Sequence, residues 1–250
     1  MEKISKAQVK LVRSLQQKKF RDKLGLFVAE GAKCVKELRK AFELELLVVE
    51  GENATRSEIE QMSGLRTPQG VIGVFKKPTH TSQLSPLGAL TPALDGIQDP
   101  GNLGTIIRTC DWFGVHDIFC SLDTADCFNP KVVQATMGAI ARVHIHYVNI
   151  SEWLSKIGNS PSVAVYGTLL DGQDMYDVFQ SSINRTSSIV QSSIIVMGNE
   201  GNGISQEVRR FITHPIRIPS YPKDAETSES LNVAIATAIV LAEYRHLIPA

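Results

Sequence analysis

The sequence predicts an α/β protein of two domains, the second and larger built on a parallel sheet. Three observations carry that reading. Strand-like and helix-like segments alternate twice along the chain, and a stretch holding Pro78, Pro86 and several Ser and Thr separates the two alternations. Later apolar segments such as Ile194-Ile-Val-Met197 are continuous, as strands covered on both faces are. At 250 residues with 43% hydrophobic content, the chain can supply two modest cores.

The elements follow in order. Ile4, Leu11, Val12 and Leu15 recur at helical spacing with Lys10, Arg13 and Lys18 off that stripe, so an amphipathic helix is expected over 5–19. Strands are expected at 25–30, 45–50 and 71–75 and helices at 32–41 and 55–62, with Thr67-Pro-Gln-Gly70 as the turn before the last strand. Residues 1–80 thus form the first domain, 81–89 a linker and 90–250 the second domain. In the second, strands are expected at 93–97, 117–122, 142–148, 163–170, 193–198 and 215–219. Helices fill the gaps at 102–113, 130–137, 151–157, 205–211 and 231–246, with Asn129 as N-cap and Pro130 in the first helical position of the second. The polar stretch 181–193 reads as a surface loop, and Trp112, Phe113, Trp153 and Phe211 fall on faces expected to be core.

Net charge is zero overall but uneven. Residues 1–40 hold twelve Lys or Arg against four acids, a local charge of +8. Such a segment can bind a polyanion by releasing condensed counterions, or it can be a solvated helix face. The cations concerned are Lys10, Arg13, Lys18, Lys19 and Arg21. No stretch approaches the roughly 20 apolar residues of a membrane span, and the start, Met-Glu-Lys-Ile-Ser-Lys, runs into polar and basic residues, so no membrane partner and a cytoplasmic location are expected. Cys34, Cys110, Cys120 and Cys127 form no Cys-x-x-Cys pair and are expected to be buried, reduced thiols. His144 and His146 share one strand face without a third ligand nearby in sequence, so no metal is expected.

Three segments invite chemistry. In Asp99-Pro-Gly-Asn-Leu-Gly-Thr-Ile-Ile-Arg108 a turn leads into a helix on which Gly104 and Arg108 lie one turn apart, leaving space beside the guanidinium. A helix N-terminus there could take a phosphate, or the helix could be merely capped, with Arg108 paired to Asp111. Gly198-Asn-Glu-Gly-Asn-Gly203 joins a strand to a helix with Ser205 as candidate N-cap; its spacing is not the dinucleotide fingerprint. Glu200 is a carboxylate set between glycines, where backbone can approach a ligand. Ser230-Leu-Asn-Val233 opens an apolar C-terminal helix in which the Asn232 amide needs partners.

In their order and spacing these three segments resemble the SpoU (TrmH) family of the SPOUT superfamily, RNA 2′-O-ribose methyltransferases that use S-adenosyl-L-methionine as methyl donor. The resemblance covers about residues 90–247. It implies a SPOUT domain with a C-terminal trefoil knot, a homodimer, and an RNA substrate, rRNA or tRNA. It places Asn102, Arg108, Glu200, Ser230 and Asn232 in the catalytic motifs, and Thr168, Leu169, Gly198, Asn199, Gly203, Ile218 and Leu231 around the adenosyl ligand. Phe27-Val-Ala-Glu-Gly-Ala-Lys-Cys-Val-Lys-Glu-Leu38 and Thr67-Pro-Gln-Gly-Val71 are similar to the L30e-like substrate-binding domain attached to many members. One departure is Ser220–Glu229, which is longer than the family's usual loop and lacks its Gly. That departure is the one sequence feature favouring the alternative, a catalytically silent RNA-binding or ribosome-assembly protein of the same fold. Arg108 is the family's proposed activator; an arginine, protonated to beyond about pH 12, is expected to orient the 2′-oxygen and offset developing charge unless the site lowers its pKa.

Overall fold

Apolar side chains gather into separate cores in the structure, a computed structural model that describes residues 2–78, 88–158, 160–185, 192–222 and 230–247. The elements run α1 (Lys6–Ser14), α2 (Lys18–Leu24), β1 (Leu26–Glu30), α3 (Ala32–Leu38), β2 (Leu44–Val49), α4 (Arg56–Met62) and β3 (Val71–Lys76). They continue with β4 (Leu90–Asp95), α5 (Pro100–Trp112), β5 (Asp117–Cys120), α6 (Pro130–Thr136), a short 3-10 turn (Ala139–Ala141), β6 (His144–Tyr147) and α7 (Ile150–Ile157). The last are β7 (Val163–Asp174), α8 (Met175–Arg185), β8 (Ser192–Gly198), α9 (Gln206–Arg209), β9 (His214–Arg217) and α10 (Val233–Leu247). Two compact units result, Met1–Gln83 with Asp126–Arg142, and Leu84–Ala125 with Val143–Ala250. Most of the expected linker, 81–87, lies outside the described residues.

In the first unit β3 lies between β1 and β2 in an antiparallel sheet, with Phe27 opposite Phe75 and Val48 opposite Ile72. Val12, Leu15, Val28, Val48, Ile59, Met62, Ile72 and Val74 form its core. The helix expected over 5–19 is broken in two. A capping box of Ser5 and Gln8 starts α1, but Gln17 is extended (φ −100°, ψ 131°) and α2 begins after it. The cause is Arg21, which is 2% exposed and donates from Nη1 to the carbonyls of Leu15 (2.9 Å) and Gln16 (3.0 Å). A guanidinium buried there needs those acceptors more than the helix needs to continue. Arg21, one of the basic residues of this segment, thus points inward and spends its donors inside the unit.

The same guanidinium explains why the expected domain of residues 90–250 is interrupted. Its Nε and Nη2 donate to Asp126 Oδ2 at 3.1 and 2.7 Å. Two residues on, the Phe128 ring lies 4.7 Å from Phe27, which also contacts Phe42 and Phe75. A buried ion pair and an aromatic cluster thus draw Asp126–Arg142 into the first unit, where α6 packs on β1.

The second unit carries a six-stranded parallel sheet in the order β6-β5-β4-β8-β7-β9. All six residues of β4 are buried, as are Ile194–Met197 of β8, which accounts for their continuous apolar runs. Ala93, Val165, Ile194, Val196 and a stacked Phe119–Trp153 pair (4.1 Å) form the core on one side. β7 runs on to Asp174 and α8 follows, so the first part of the expected 181–193 loop is helical; 186–191 lie outside the described residues. α10 runs beside α5 in the same direction. Asn232 bonds Asn102 at one end, and Arg245 donates to the carbonyls of Phe113 (2.9 Å) and Gly114 (3.3 Å) at the other. Tyr244 further pins α10 to Ser193 Oγ of β8 at 2.7 Å.

Trp112 departs from expectation. The buried stripe of α5 is Leu103, Gly104, Ile106, Ile107 and Cys110; Trp112 falls off it and is 85% exposed, whereas Trp153 is core and Phe211 packs beside it. All four cysteines are buried, and burial pushes the Cys34 thiol up to about 11 and Cys110 higher still. His146 Nε2 meets Asp117 Oδ1 at 2.7 Å and its ring stacks on Phe119. Among the described residues no helix is long and apolar enough to cross a membrane.

The two clasps of the first unit differ in burial, and so in what their loss costs. Arg21→Ala leaves Asp126, 11% exposed, without its cation and is expected to lower stability by about 3 kcal/mol. Lys18→Ala removes an exposed i,i+4 pair with Asp22 and is expected to cost no more than about 0.5 kcal/mol. Urea unfolding of both variants measures the contrast; equal losses would show that the buried pair is not holding the segment.

Candidate active site at the carboxyl end of the parallel sheet

Parallel strands place all their carboxyl ends at one edge, and the loops leaving β4, β8, β7 and β9 are neighbours there. After β4 the chain turns through Gly96 (φ +75°) and enters α5, which starts two residues earlier than expected because Pro100 fills the first helical position and Asp99 caps it. Asp99 Oδ1 accepts from the Asn102 N–H at 2.8 Å. The Glu200 carboxylate lies close by, its Oε1 3.4 Å from the Asp99 N–H. Two carboxylates thus meet the free N–H groups of this helix start.

The loop after β8 is folded on itself. Asn199 and Gly203 exchange both backbone hydrogen bonds at 2.9 Å, and the Asn199 side chain donates to Gly96 O (2.6 Å) while accepting from the N–H groups of Gly201 (2.9 Å) and Asn202 (3.0 Å). Gly198 is obligatory, since a Cβ there would lie 2.3 Å from Gly203 C and from Ile204 N. Asn199 and Gly203, expected to hold the ligand, thus spend these polar groups on the shape of the loop. Ser205 takes the N-cap position of α9 without a side-chain cap bond; its own N–H donates to Asp95 Oδ2 at 2.8 Å. Asp95 was missed by sequence reasoning, although a carboxylate closing an apolar strand before a Gly is a legible signal.

Held in this way, Glu200 Oε1 accepts from Asn102 Nδ2 at 3.0 Å, and Asn102 Oδ1 accepts from Asn232 Nδ2 at 2.9 Å. Asn232 Oδ1 in turn accepts from the N–H groups of Ala234 and Ile235 at the start of α10. The three segments singled out in the sequence are joined by one chain of hydrogen bonds. Arg108 and Ser230 are not part of it. Arg108 is exposed on α5, about 9 Å along the axis from Asn102, and its side chain forms no hydrogen bond or ion pair with the described residues, Asp111 included. Ser230 is likewise exposed.

Beside this chain, the pairing of β7 with β9 breaks. Thr168 and Gln173 both face Ile216, so residues 169–172 bulge out, with Leu170 71% exposed and Gly172 too close to Ile216 to carry a Cβ. Thr168 Oγ1 donates to Val196 O at 3.2 Å and Leu169 packs toward the core. An ion pair between Asp171 and Arg209 fastens the bulge to α9 and holds the Asp171 carboxyl below its ordinary range. Ile218 lies half-buried past β9, and Leu231 is half-exposed before α10. Exposed apolar side chains beside unpaired strand backbone suit a ligand with a flat apolar face and a hydrogen-bonding edge, and the adenosyl group fits that description. Residues 223–229, the core of the departing Ser220–Glu229 loop, lie outside the described residues.

Fold and site together define an α/β enzyme that binds its ligand outside the carboxyl ends of parallel strands. Residues 89–242 match the SpoU rRNA methylase family, and residues 6–73 match the MRM3-like substrate binding domain. The chain belongs to the SpoU rRNA methylase family. It is 28% identical to the 23S rRNA (guanosine(2553)-2′-O)-methyltransferase RlmP of Bacillus subtilis over 95% of each chain. It is 32% identical to the 23S rRNA (guanosine-2′-O-)-methyltransferase RlmB of Neisseria meningitidis over 61% of this chain, spanning 56% of that protein's length. Among solved structures it is similar to an AdoMet-bound rRNA methyltransferase from Sinorhizobium meliloti, with TM-score 0.81 and 30% identity over 100% of this chain and 98% of that one. A TrmH-family protein from Porphyromonas gingivalis matches with TM-score 0.81 and 36% identity over 97% and 98% of the two chains.

Because Glu200, Asn102 and Asn232 act as one unit, their effects are expected to be non-additive. Asn102→Ala and Glu200→Ala, alone and together, are expected to show a coupling of about 1 kcal/mol in thermal unfolding. Additive losses would mean that the bond between them holds nothing in place.

Proposed function

We propose that this chain transfers the methyl group of S-adenosylmethionine to a ribose 2′-hydroxyl of rRNA. The observation that carries the reading is the Glu200–Asn102–Asn232 chain, which joins three separate segments at the carboxyl edge of the sheet, with Arg108 exposed on the same helix as Asn102 and unpaired among the described residues. Thr168, Leu169, Gly198, Ile218 and Leu231 would line the adenosyl site. S-adenosylmethionine supplies an electrophilic methyl carbon bound to a positive sulfur. A neutral hydroxyl attacks it poorly unless it is held in line and its developing charge is met. Arg108 does both, donating its planar fork to the 2′-oxygen and the adjoining phosphate while the proton leaves to phosphate or water. Glu200 acts through Asn102 and the glycine loop and does not take the proton.

The first unit we read as the RNA-binding domain, with Lys10, Arg13, Lys18 and Lys19 meeting phosphates. The trefoil knot and the homodimer belong to the same proposal. The dimer is supported by Trp112 and Ile235, 85% and 52% exposed on adjacent helices α5 and α10. Trp112→Glu is expected to yield a monomer in sedimentation equilibrium where the wild type is a dimer; a monomeric wild type would remove the dimer from the reading.

Arg108→Ala is expected to leave fold and S-adenosylmethionine affinity near wild type while methyl transfer falls by at least about a hundredfold, and Arg108→Lys is expected to recover little. Single-turnover transfer of radiolabelled methyl to rRNA measures both. Full transfer by the Ala variant would take Arg108 out of the mechanism.

A further inference from the structure

A recess of about 460 Å³ in the first unit lies where the break between α1 and α2 meets the end of α4. Its lining includes Arg13, Gln16, Gln17, Glu60, Gln61 and Ser63. The site at the sheet edge uses none of these. The floor is rigid: buried Glu30 accepts from Ser63 Oγ at 2.5 Å and from the Gly64 N–H at 2.7 Å, and Gln16 Nε2 donates to Met62 O at 3.2 Å. The rim is free. Arg13, Gln17 and Gln61 make no side-chain hydrogen bond or ion pair with any described residue, although Gln17 stands at the N-cap of α2.

The chemistry of this set does not suit a phosphate. Its one guanidinium, Arg13, shares the lining with a carboxylate, Glu60, which Arg56 at 2.9 Å only partly neutralises because both are exposed. What the set offers is alternation. Each glutamine amide presents a donor and an acceptor and Glu60 a further acceptor, which together complement the mixed edge of a nucleobase, while Arg13 at the rim stays available to the adjoining phosphate. Sequence-selective contacts to RNA fall mainly on unpaired bases turned out of the stack, and a preformed recess beside basic helices is shaped for one. We propose that this recess is a nucleobase-reading pocket that takes one unpaired base of the RNA substrate, giving the first unit sequence preference in addition to phosphate affinity. The proposal rests on the reading of the chain as an RNA methyltransferase.

The test uses the full chain with an abasic ribose-phosphate dodecamer and the same backbone bearing a single central A, C, G or U. The wild type is expected to bind at least one base-bearing strand about tenfold more tightly than the abasic strand. Gln17→Ala/Gln61→Ala is expected to bind all five alike, at the abasic level, with an unchanged slope of log Kd against log salt and an unchanged urea midpoint. Three results would overturn the pocket: no base preference in the wild type, a preference that survives in the variant, or equal weakening on all strands with a slope smaller by about one, the mark of phosphate contacts. Methyl transfer to total RNA by the wild type, run in parallel, separates the two readings. Transfer with no base preference sinks the pocket alone, and base preference without transfer sinks the enzyme alone.

Discussion

The hydrogen-bonded chain from Glu200 through Asn102 to Asn232 is the constraint on which the second unit's site depends. Each member sits on a different segment, separated from its bonded neighbour by about a hundred residues or more of sequence, as the 98- and 130-residue spans of the two bonds show. Amides can relay in this way because each offers a donor and an acceptor, so a carboxylate at one end orients every group down the line. The glycine loop keeps Glu200 in place, and Asn232 passes the constraint to the start of α10. That helix is then held in its last turn by Tyr244 and Arg245.

In the first unit the corresponding constraint is one guanidinium. Arg21 saturates two carbonyls at the α1–α2 break and an aspartate from far along the chain, and no other residue type has the donors for all three in one plane. The break it enforces creates the recess beside Gln16 and Gln17, and its pair with Asp126 brings Phe128 into the aromatic cluster. Local architecture and the discontinuity of the unit therefore share one cause. It also separates two roles that charge alone merges, since a cation count treats Arg21 like Lys18 and Lys19, which stay at the surface.

Much of this was legible in the chain. Period and punctuation located nearly every element within a few residues: continuous apolar runs marked β4 and β8, Asn129-Pro130 opened α6, and the three motif segments fell on loops at the ligand edge. Where local reading failed, a longer-range interaction had prevailed. Helix α1 stops early because of Arg21. The start of α5 is capped by Asp99, with Glu200 brought beside it from the loop after β8. Asn199 turned inward to Gly96, and Trp112 lies off the buried stripe of α5.

By itself the sequence determined the two α/β alternations, the parallel character of the second sheet and the identity of the residues that could do chemistry, because hydrophobic period, caps and glycine spacing are local properties. Tertiary structure alone decided which of those residues meet. Hydrogen bonds spanning about a hundred residues leave no local trace, so the joining of Glu200 to Asn102 and Asn232, the exposure of Arg108 beside them, and the capture of Asp126–Arg142 by the first unit appear only once buried charges and amides have found their partners in three dimensions.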